Sequence, residues 1–237
     1  MSEKQIIAII DYEMGNIGSI ENAVKHLECK PLITRKVSDI NRADKLILPG
    51  VGAFRQGFQN LKKFDLISVL EENVIKQGKP ILGICLGMQL LSYEGFEDGI
   101  SNGLGWIPGI VKRIPDKNFR VPHIGWNNIL IKDESTLFNQ LNKDLDLDFY
   151  FIHSYYFHCT DYHNVKASCE YGVEFAAIIQ KNNIYGMQFH PEKSHRNGLI
   201  ILYNFLYENN DNMLNNSHQV VDNILENAIS DDRLHSC

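Results

Sequence analysis

The sequence is poor in the features that mark whole classes of protein. Its five cysteines stand at positions 29, 85, 159, 169 and 237, an odd total with no C-x-x-C pair. That spacing excludes a disulfide framework and fits reduced thiols in a cytoplasm. Proline is scarce, seven residues against 17 glycines in 237, and no Pro- or Gly-rich linker divides the chain. No apolar run approaches the roughly 20 residues of a membrane-spanning helix. The run nearest the amino end, "QIIAII", stops at Asp11, too short for a signal peptide. Positive charge is neither abundant nor clustered: 23 Lys and Arg against 29 Asp and Glu leave a net charge of −6. Neither nucleic acid nor an anionic membrane is therefore an expected partner. "MGNIGS" lacks the glycine spacing of a dinucleotide fingerprint and any phosphate-loop lysine.

What is present alternates. "QIIAII" (5–10) reads as a buried strand, and residues 16–28 put Ile17, Ile20, Ala23, Val24 and Leu27 on one helical face. "PLITR" and "KLILPGVG" (45–52) are further strand candidates. A mostly helical stretch from Phe54 to Gly78 leads to "PILGIC" and the helical "LGMQLLSYE". Short apolar runs separated by helices predict an α/β fold with a doubly wound, mostly parallel sheet, where ligands collect at the carboxyl ends of the strands. The second half is strand-rich. "GLGWIPGIVKRI", "HIGWNNILI", "DFYFIHSYYFHC", "EFAAIIQ" and "IYGMQFH" are dense in aromatic and β-branched residues, and "QKNNIY" reads as a hairpin turn. The helix "GLIILYNFLYEN" follows. Residues 1–207 read as one domain and 208–237 as an extension, in which Val220, Val221, Ile224, Leu225, Ala228 and Ile229 form an amphipathic stripe expected to dock on the same domain.

The chemistry centres on "GKPILGICLGMQLL". Cys85 sits between Gly83 and Gly87 where a strand pattern becomes a helical one. It is either a small core residue at a turn or a nucleophile on a strand-to-helix elbow of the G-x-S-x-G kind. An elbow nucleophile needs a base and an orienting group. "MQFHPEKS" supplies His190 and Glu192, two residues apart at a strand end. It also needs amide donors for an oxyanion. "LPGVGAF" offers Gly50, Val51 and Gly52, and Leu86 follows the nucleophile. Taken singly, the last two pieces are also ordinary turns; all three fall at strand ends on one side of a parallel sheet.

The set "LPGVGAF", "GICLGMQLL" and "FHPEKS" resembles the class I, triad-type glutamine amidotransferases. Within them, "DYEMGNIGSI", the PGVG form of the loop, "VPHIGWN" and "YFIHSYY" look like the glutaminase subunits of imidazole glycerol phosphate synthases. The resemblance spans about residues 5–207. It implies Cys85 as nucleophile, His190 as general base then acid, and Glu192 as its orienter. Val51, Gly52 and Leu86 become the oxyanion amides, and Gly50, Gln89, Ser154 and Tyr155 help to seat L-glutamine. Asn16, His123, Trp126 and Lys193 match positions that face a (β/α)8 cyclase subunit in a heterodimer. No cofactor and no metal are implied. "HSYYFHCTDYH" suggests a metal site, but His153 and His158 should diverge from one strand, so no ligand set is expected to close.

This chain shows no nucleotide motif and no second domain of useful size, so the acceptor of ammonia is expected on another polypeptide. The same glutamine chemistry would equally serve a sugar amidotransferase that builds amidino groups for surface polysaccharides; "FHPEKSHRNGL", with His195, and the added tail leave that open. A catalytically silent binding module would not need Cys85, His190 and Glu192 together, and a cysteine hydrolase of esters or peptides would not need the PGVG loop and Gln89. In a partner-controlled enzyme, the peptide at Val51 could rest in the wrong orientation until the synthase side is occupied.

Overall fold

The computed structural model describes residues 4–15, 17–116, 119–142 and 147–208. Strand β1 (Ile6–Ile10) is an unbroken apolar run because both its faces are covered. Ile7 and Ile9 enter one core layer, Ala8 and Ile10 the other. Helix α1 (Ile17–His26) buries Ile20, Ala23 and Val24 against the first layer, and the chain returns as β2 (Lys30–Thr34), parallel to β1. After the short α2 (Val37–Arg42), β3 (Lys45–Leu48) pairs with the other edge of β1. That reversal of winding makes a crevice at the strands' carboxyl ends.

Helices α3 (Phe54–Lys63) and α4 (Leu66–Glu71) follow, separated at Asp65, which adopts a left-handed φ of 54°. Next come β4 (Ile81–Ile84), parallel to β3, and α5 (Leu86–Leu90). The remaining strands and α-helix are β5 (Glu94–Gly95), β6 (Ser101–Asn102), β7 (Gly109–Arg113), β8 (His123–Asn128), β9 (Leu130–Ile131), β10 (Asp148–His153), β11 (Tyr155–Cys159), β12 (Val165–Glu170), β13 (Glu174–Lys181), β14 (Ile184–Met187) and α6 (His195–Tyr207). The main sheet has eight strands in the order β2-β1-β3-β4-β14-β13-β12-β9. It is parallel from β2 to β14 and antiparallel beyond, so the doubly wound, mostly parallel fold read from the sequence is the fold observed. A four-stranded sheet β11-β7-β5-β6 and a β10–β8 ribbon flank it.

Three local readings change. "DFYFIHSYYFHC" is two strands that part at Ser154, β10 pairing with β8 and β11 with β7. Strand β12 escapes a propensity reading because its buried positions include the small residues Ala167, Ser168 and Cys169 rather than branched or aromatic ones. Helix α6 begins at His195, ahead of its apolar stripe. The β13–β14 hairpin forms at the expected place, with Asn182 at φ 54°. The stripe from Val220 to Ile229 and Asn16 lie outside the described residues. Because β3, β4 and β14 are neighbours, the segments following them bring Gly50, Cys85 and His190 to one end of the sheet.

Candidate active site

Cys85 follows the last residue of β4, and its N–H donates to Met187 O at 2.7 Å. Its backbone sits at φ 52°, ψ −108°, a conformation that costs a residue with a side chain about 1–3 kcal/mol. The flanking glycines are fixed by close packing of this turn. A Cβ on Gly83 would lie 2.7 Å from the Gly87 backbone, and one on Gly87 would lie 1.8 Å from Leu48 O. The strained, 5% exposed cysteine is thus held by two strands and by the helix that starts behind it.

His190 lies just beyond the end of β14. Its N–H donates to Tyr150 O at 3.0 Å, while Ser194 Oγ donates to His190 O at 2.6 Å and accepts from Tyr150 N at 3.0 Å. The ring is therefore positioned from β10 as well as from its own strand. Its Nδ1 lies 2.8 Å from Glu192 Oε1. A carboxylate can only accept, so Nδ1–H is the donor to Glu192, and Nε2 is the ring atom left to exchange a proton with the thiol. Nε2 is buried with no hydrogen bond of ordinary length. Burial by itself lowers the imidazole's affinity for a proton, but the Cys85 sulfur and the Glu192 carboxylate outweigh it and hold the pKa above the usual histidine range. With both side chains 3–4% exposed, these interactions are little screened.

The loop at Pro49–Gly52, expected to supply oxyanion amides, has an unexpected geometry. Tyr12 Oη donates to Pro49 O at 2.5 Å, and a Cβ on Gly50 would come 2.2 Å from that hydroxyl, so Tyr12 fixes the loop and demands glycine. Leu86 N–H, expected to meet an oxyanion, donates instead to Gly50 O at 3.2 Å. Gly50 C=O and Val51 N–H belong to one planar trans peptide and point in opposite directions. With the carbonyl aimed at Leu86, the Val51 amide points away from it. The crevice between Gly50–Val51 and His190–Lys193 holds only about 10 Å³, room for about one water.

Gln89 is 5% exposed, and its Nε2 donates to Tyr155 O at 2.7 Å and Gln188 Oε1 at 3.1 Å. Gln188, missed in the sequence, is fully buried and reaches Cys85 Sγ with its Nε2 at 3.7 Å. Its only signal was position, two residues before His190. Tyr155 enters the site through its carbonyl, as does Ile152, whose oxygen accepts from the Cys85 thiol at 3.9 Å. Ser154 is half-buried, and its carbonyl accepts from Ile114 N at 2.9 Å.

Of the residues expected to face a partner, Trp126 and Lys193 are exposed, and Trp126 stacks on His195 at 4.7 Å. His123 is instead buried, stacked on Tyr171 at 3.9 Å. Alternation along β8 turns Ile124 and Trp126 outward in its place. His153 and His158 do diverge, but because they lie on different strands; His153 pairs with His123 at 3.2 Å. Among the described residues no group of three His, Cys, Asp or Glu is placed to hold a metal ion, and no helix is long and apolar enough to cross a membrane. A cavity of about 640 Å³ between β11 and β12–β13 contains none of Cys85, His190 and Glu192.

The chain's residues 8–209 match the family model of class-I glutamine amidotransferases. It is 50% identical over 202 residues to imidazole glycerol phosphate synthase subunit HisH 2 of Vibrio vulnificus, covering 84% of this chain and 93% of that one. Subunit HisH 1 of Campylobacter jejuni is 45% identical, over 84% of this chain and 98% of its own. Subunit HisH 2 of Methanococcus maripaludis is 45% identical over 85% and 98%. Among solved structures, PurLQS from Thermotoga maritima shares the fold with a TM-score of 0.65 at 17% identity, over 86% of this chain and 98% of that one. A glutamine amidotransferase from the same organism gives 0.58 at 18% identity, over 98% and 94%.

Proposed function

The chain belongs to the class-I glutamine amidotransferases, and from that premise we propose that Cys85, His190 and Glu192 are its catalytic triad, in the glutaminase subunit of an imidazole glycerol phosphate synthase, an enzyme of histidine biosynthesis. The observation that carries the assignment is the buried relay in which Glu192 Oε1 holds Nδ1–H of His190, with the Cys85 sulfur interacting with the same ring. His190 Nε2 takes the thiol proton, and the sulfur attacks the carboxamide carbon of glutamine as the carbonyl π pair moves onto oxygen. The oxyanion pair then re-forms the carbonyl and expels the amide nitrogen, which leaves as ammonia with the proton from His190. Water, deprotonated by His190, attacks the resulting thioester; its collapse releases glutamate and returns the proton to Cys85.

Val51, Gly52 and Leu86 are the proposed oxyanion donors, and the Gly50–Val51 peptide must turn before two of them converge. Gly50, Gln89, Ser154 and Tyr155 line the seat for glutamine. Ammonia passes to a synthase partner, a (β/α)8 cyclase subunit, docked over the outward face of β8 and β10. Ile124 is 57%, Trp126 46% and Ile152 38% exposed there, and Ile152 is the residue whose carbonyl touches the thiol. Lys193 borders the crevice between Gly50–Val51 and His190, and Asn16 is assigned to the interface by the family resemblance alone. The unit acts in the cytoplasm, with residues 1–207 as the glutaminase domain and 208–237 as its extension.

The test is glutamate release from glutamine by the full chain, alone and with the host's imidazole glycerol phosphate cyclase and its nucleotide ligand, beside Cys85→Ala. Stimulation that vanishes in Cys85→Ala is the expected result. Activity that needs Cys85 but ignores the cyclase would replace the histidine-pathway partner with a sugar amidotransferase, and activity surviving Cys85→Ala would overturn the triad.

A further inference from the structure

We propose that Gln188 is a further catalytic residue: its side-chain amide donates a hydrogen bond to the Cys85 sulfur and holds the negative charge there once the thiol proton has moved to His190. The proposal rests on the glutaminase reading above only for the reaction it serves; the contact itself stands on geometry.

The orientation of a glutamine amide is ordinarily ambiguous between N and O, but here backbone chemistry settles it. Tyr155 O can only accept, so the Gln89 atom 2.7 Å away must be its nitrogen. That nitrogen lies 3.1 Å from the Gln188 side chain, where it spends its second hydrogen, so the Gln188 atom must be an acceptor, Oε1. The remaining Gln188 atom, 3.7 Å from Cys85 Sγ, is then Nε2, a donor aimed at sulfur. No rotamer flip preserves the set, because a flipped Gln188 would turn nitrogen against nitrogen.

The anchor is itself held. Tyr155 O also accepts from His153 Nδ1 at 2.8 Å, which leaves His153 Nε2 as the acceptor of His123 Nδ1–H at 3.2 Å. Every polarity therefore follows from one carbonyl, and the series runs from β8 to the nucleophile. Gln188 is 0% and Gln89 5% exposed. Buried amides are costly unless bonded, and this pair lies in the low-dielectric interior, where a donor to a charged atom acts most strongly. Ile152 O, another partner of the sulfur, accepts from the thiol and repels a thiolate. Gln188 supplies the opposing donor.

Gln188→Met keeps length and volume and removes the donor. Two readouts separate its role from simple packing. The first is the pH profile of Cys85 alkylation by iodoacetamide, followed on the Cys85 peptide by mass spectrometry in the full chain alone, which needs neither glutamine nor a partner. The second is kcat and KM for glutamate release with the cyclase. The profile should move to higher pH, and kcat should fall about ten- to a hundredfold, the effect of losing one hydrogen bond to a charged group, with KM little changed. A wild-type profile and kcat in folded Gln188→Met would overturn the proposal. If that variant does not fold, Gln89→Met/Gln188→Met removes both amides and leaves neither glutamine unpaired; the same displacement is expected, and an undisplaced profile would overturn the proposal equally. A displaced profile in a protein that never hydrolyses glutamine would instead count against the glutaminase reading while leaving the Gln188 contact in place.

Discussion

Gly50 O accepts the Leu86 amide hydrogen at 3.2 Å, and this one bond keeps a proposed oxyanion donor occupied by a carbonyl. The Val51 amide, on the far side of the same peptide, is turned away from Leu86. The proposed nucleophile, base and orienting carboxylate are thus in place beside a proposed oxyanion site that is unfinished. Finishing it requires rotation of a single peptide between Pro49, which Tyr12 holds, and Gly52, whose φ of 108° suits glycine.

The resting rate of glutamate release should therefore be low. Losing one oxyanion donor typically costs about 10²–10³ in rate, and partner-bound protein should exceed the chain alone by a factor of that order. The structural counterpart is the Leu86 amide signal in NMR, which should shift when a diazoketone analogue of glutamine alkylates Cys85. An unchanged Leu86 signal in the alkylated protein would mean that the Gly50 bond is not the gate.

Gly87→Ala should damage stability and activity together. The new Cβ would sit 1.8 Å from Leu48 O, and backbone cannot yield as a side-chain tip can. The expected cost is at least about 1–3 kcal/mol, or several degrees in melting temperature for a domain of this size. Calorimetry that finds the wild-type melting temperature would contradict the packing described for the elbow.

The buried His123–His153 pair should make the fold sensitive to acid. Burial holds His123 down to about 4 and His153 down to about 3, against about 6.5 when unfolded. Because these folded values are depressed, the unfolded chain binds the protons more readily. The stability they contribute is complete above pH 6.5 and is lost as pH falls from there through 4 and 3. The melting temperature should decline between pH 7 and 5, and His153→Gln should flatten that decline by about one proton's worth of slope. An identical slope in the variant would show that the pair titrates normally.

Trp126→Ala should weaken partner binding by about 2 kcal/mol, roughly thirtyfold in Kd. The indole is 46% exposed and preorganised by its stack on His195 at 4.7 Å and 5°. Titration calorimetry against the cyclase gives the difference directly. Unchanged affinity would move the interface away from β8.

Much of this was legible in the chain, for physical reasons. Parallel strands buried on both faces must be apolar throughout, so β1, β3 and β4 announce themselves, and helical periodicity marks α1 between them. The elbow is legible because Gly83 and Gly87 are demanded by backbone contacts at 2.7 and 1.8 Å, and no other residue fits. His190 and Glu192 are legible because their pairing is local, two residues apart around a proline.

Only the tertiary structure decided the rest, because it depends on groups distant in sequence or on chemistry that every residue shares. Gln188 and Gln89 are 99 residues apart and become one unit only when β14 lies beside β4. The direction of the Gly50 peptide leaves no mark in composition, since each residue carries the same carbonyl and amide. The break at Ser154 sends one aromatic run to two sheets, and alternation along β8 buries His123 while exposing Ile124 and Trp126. Residue types determined which chemistry the chain carries; the packing of distant strands determined which donors face the sulfur and which are turned away.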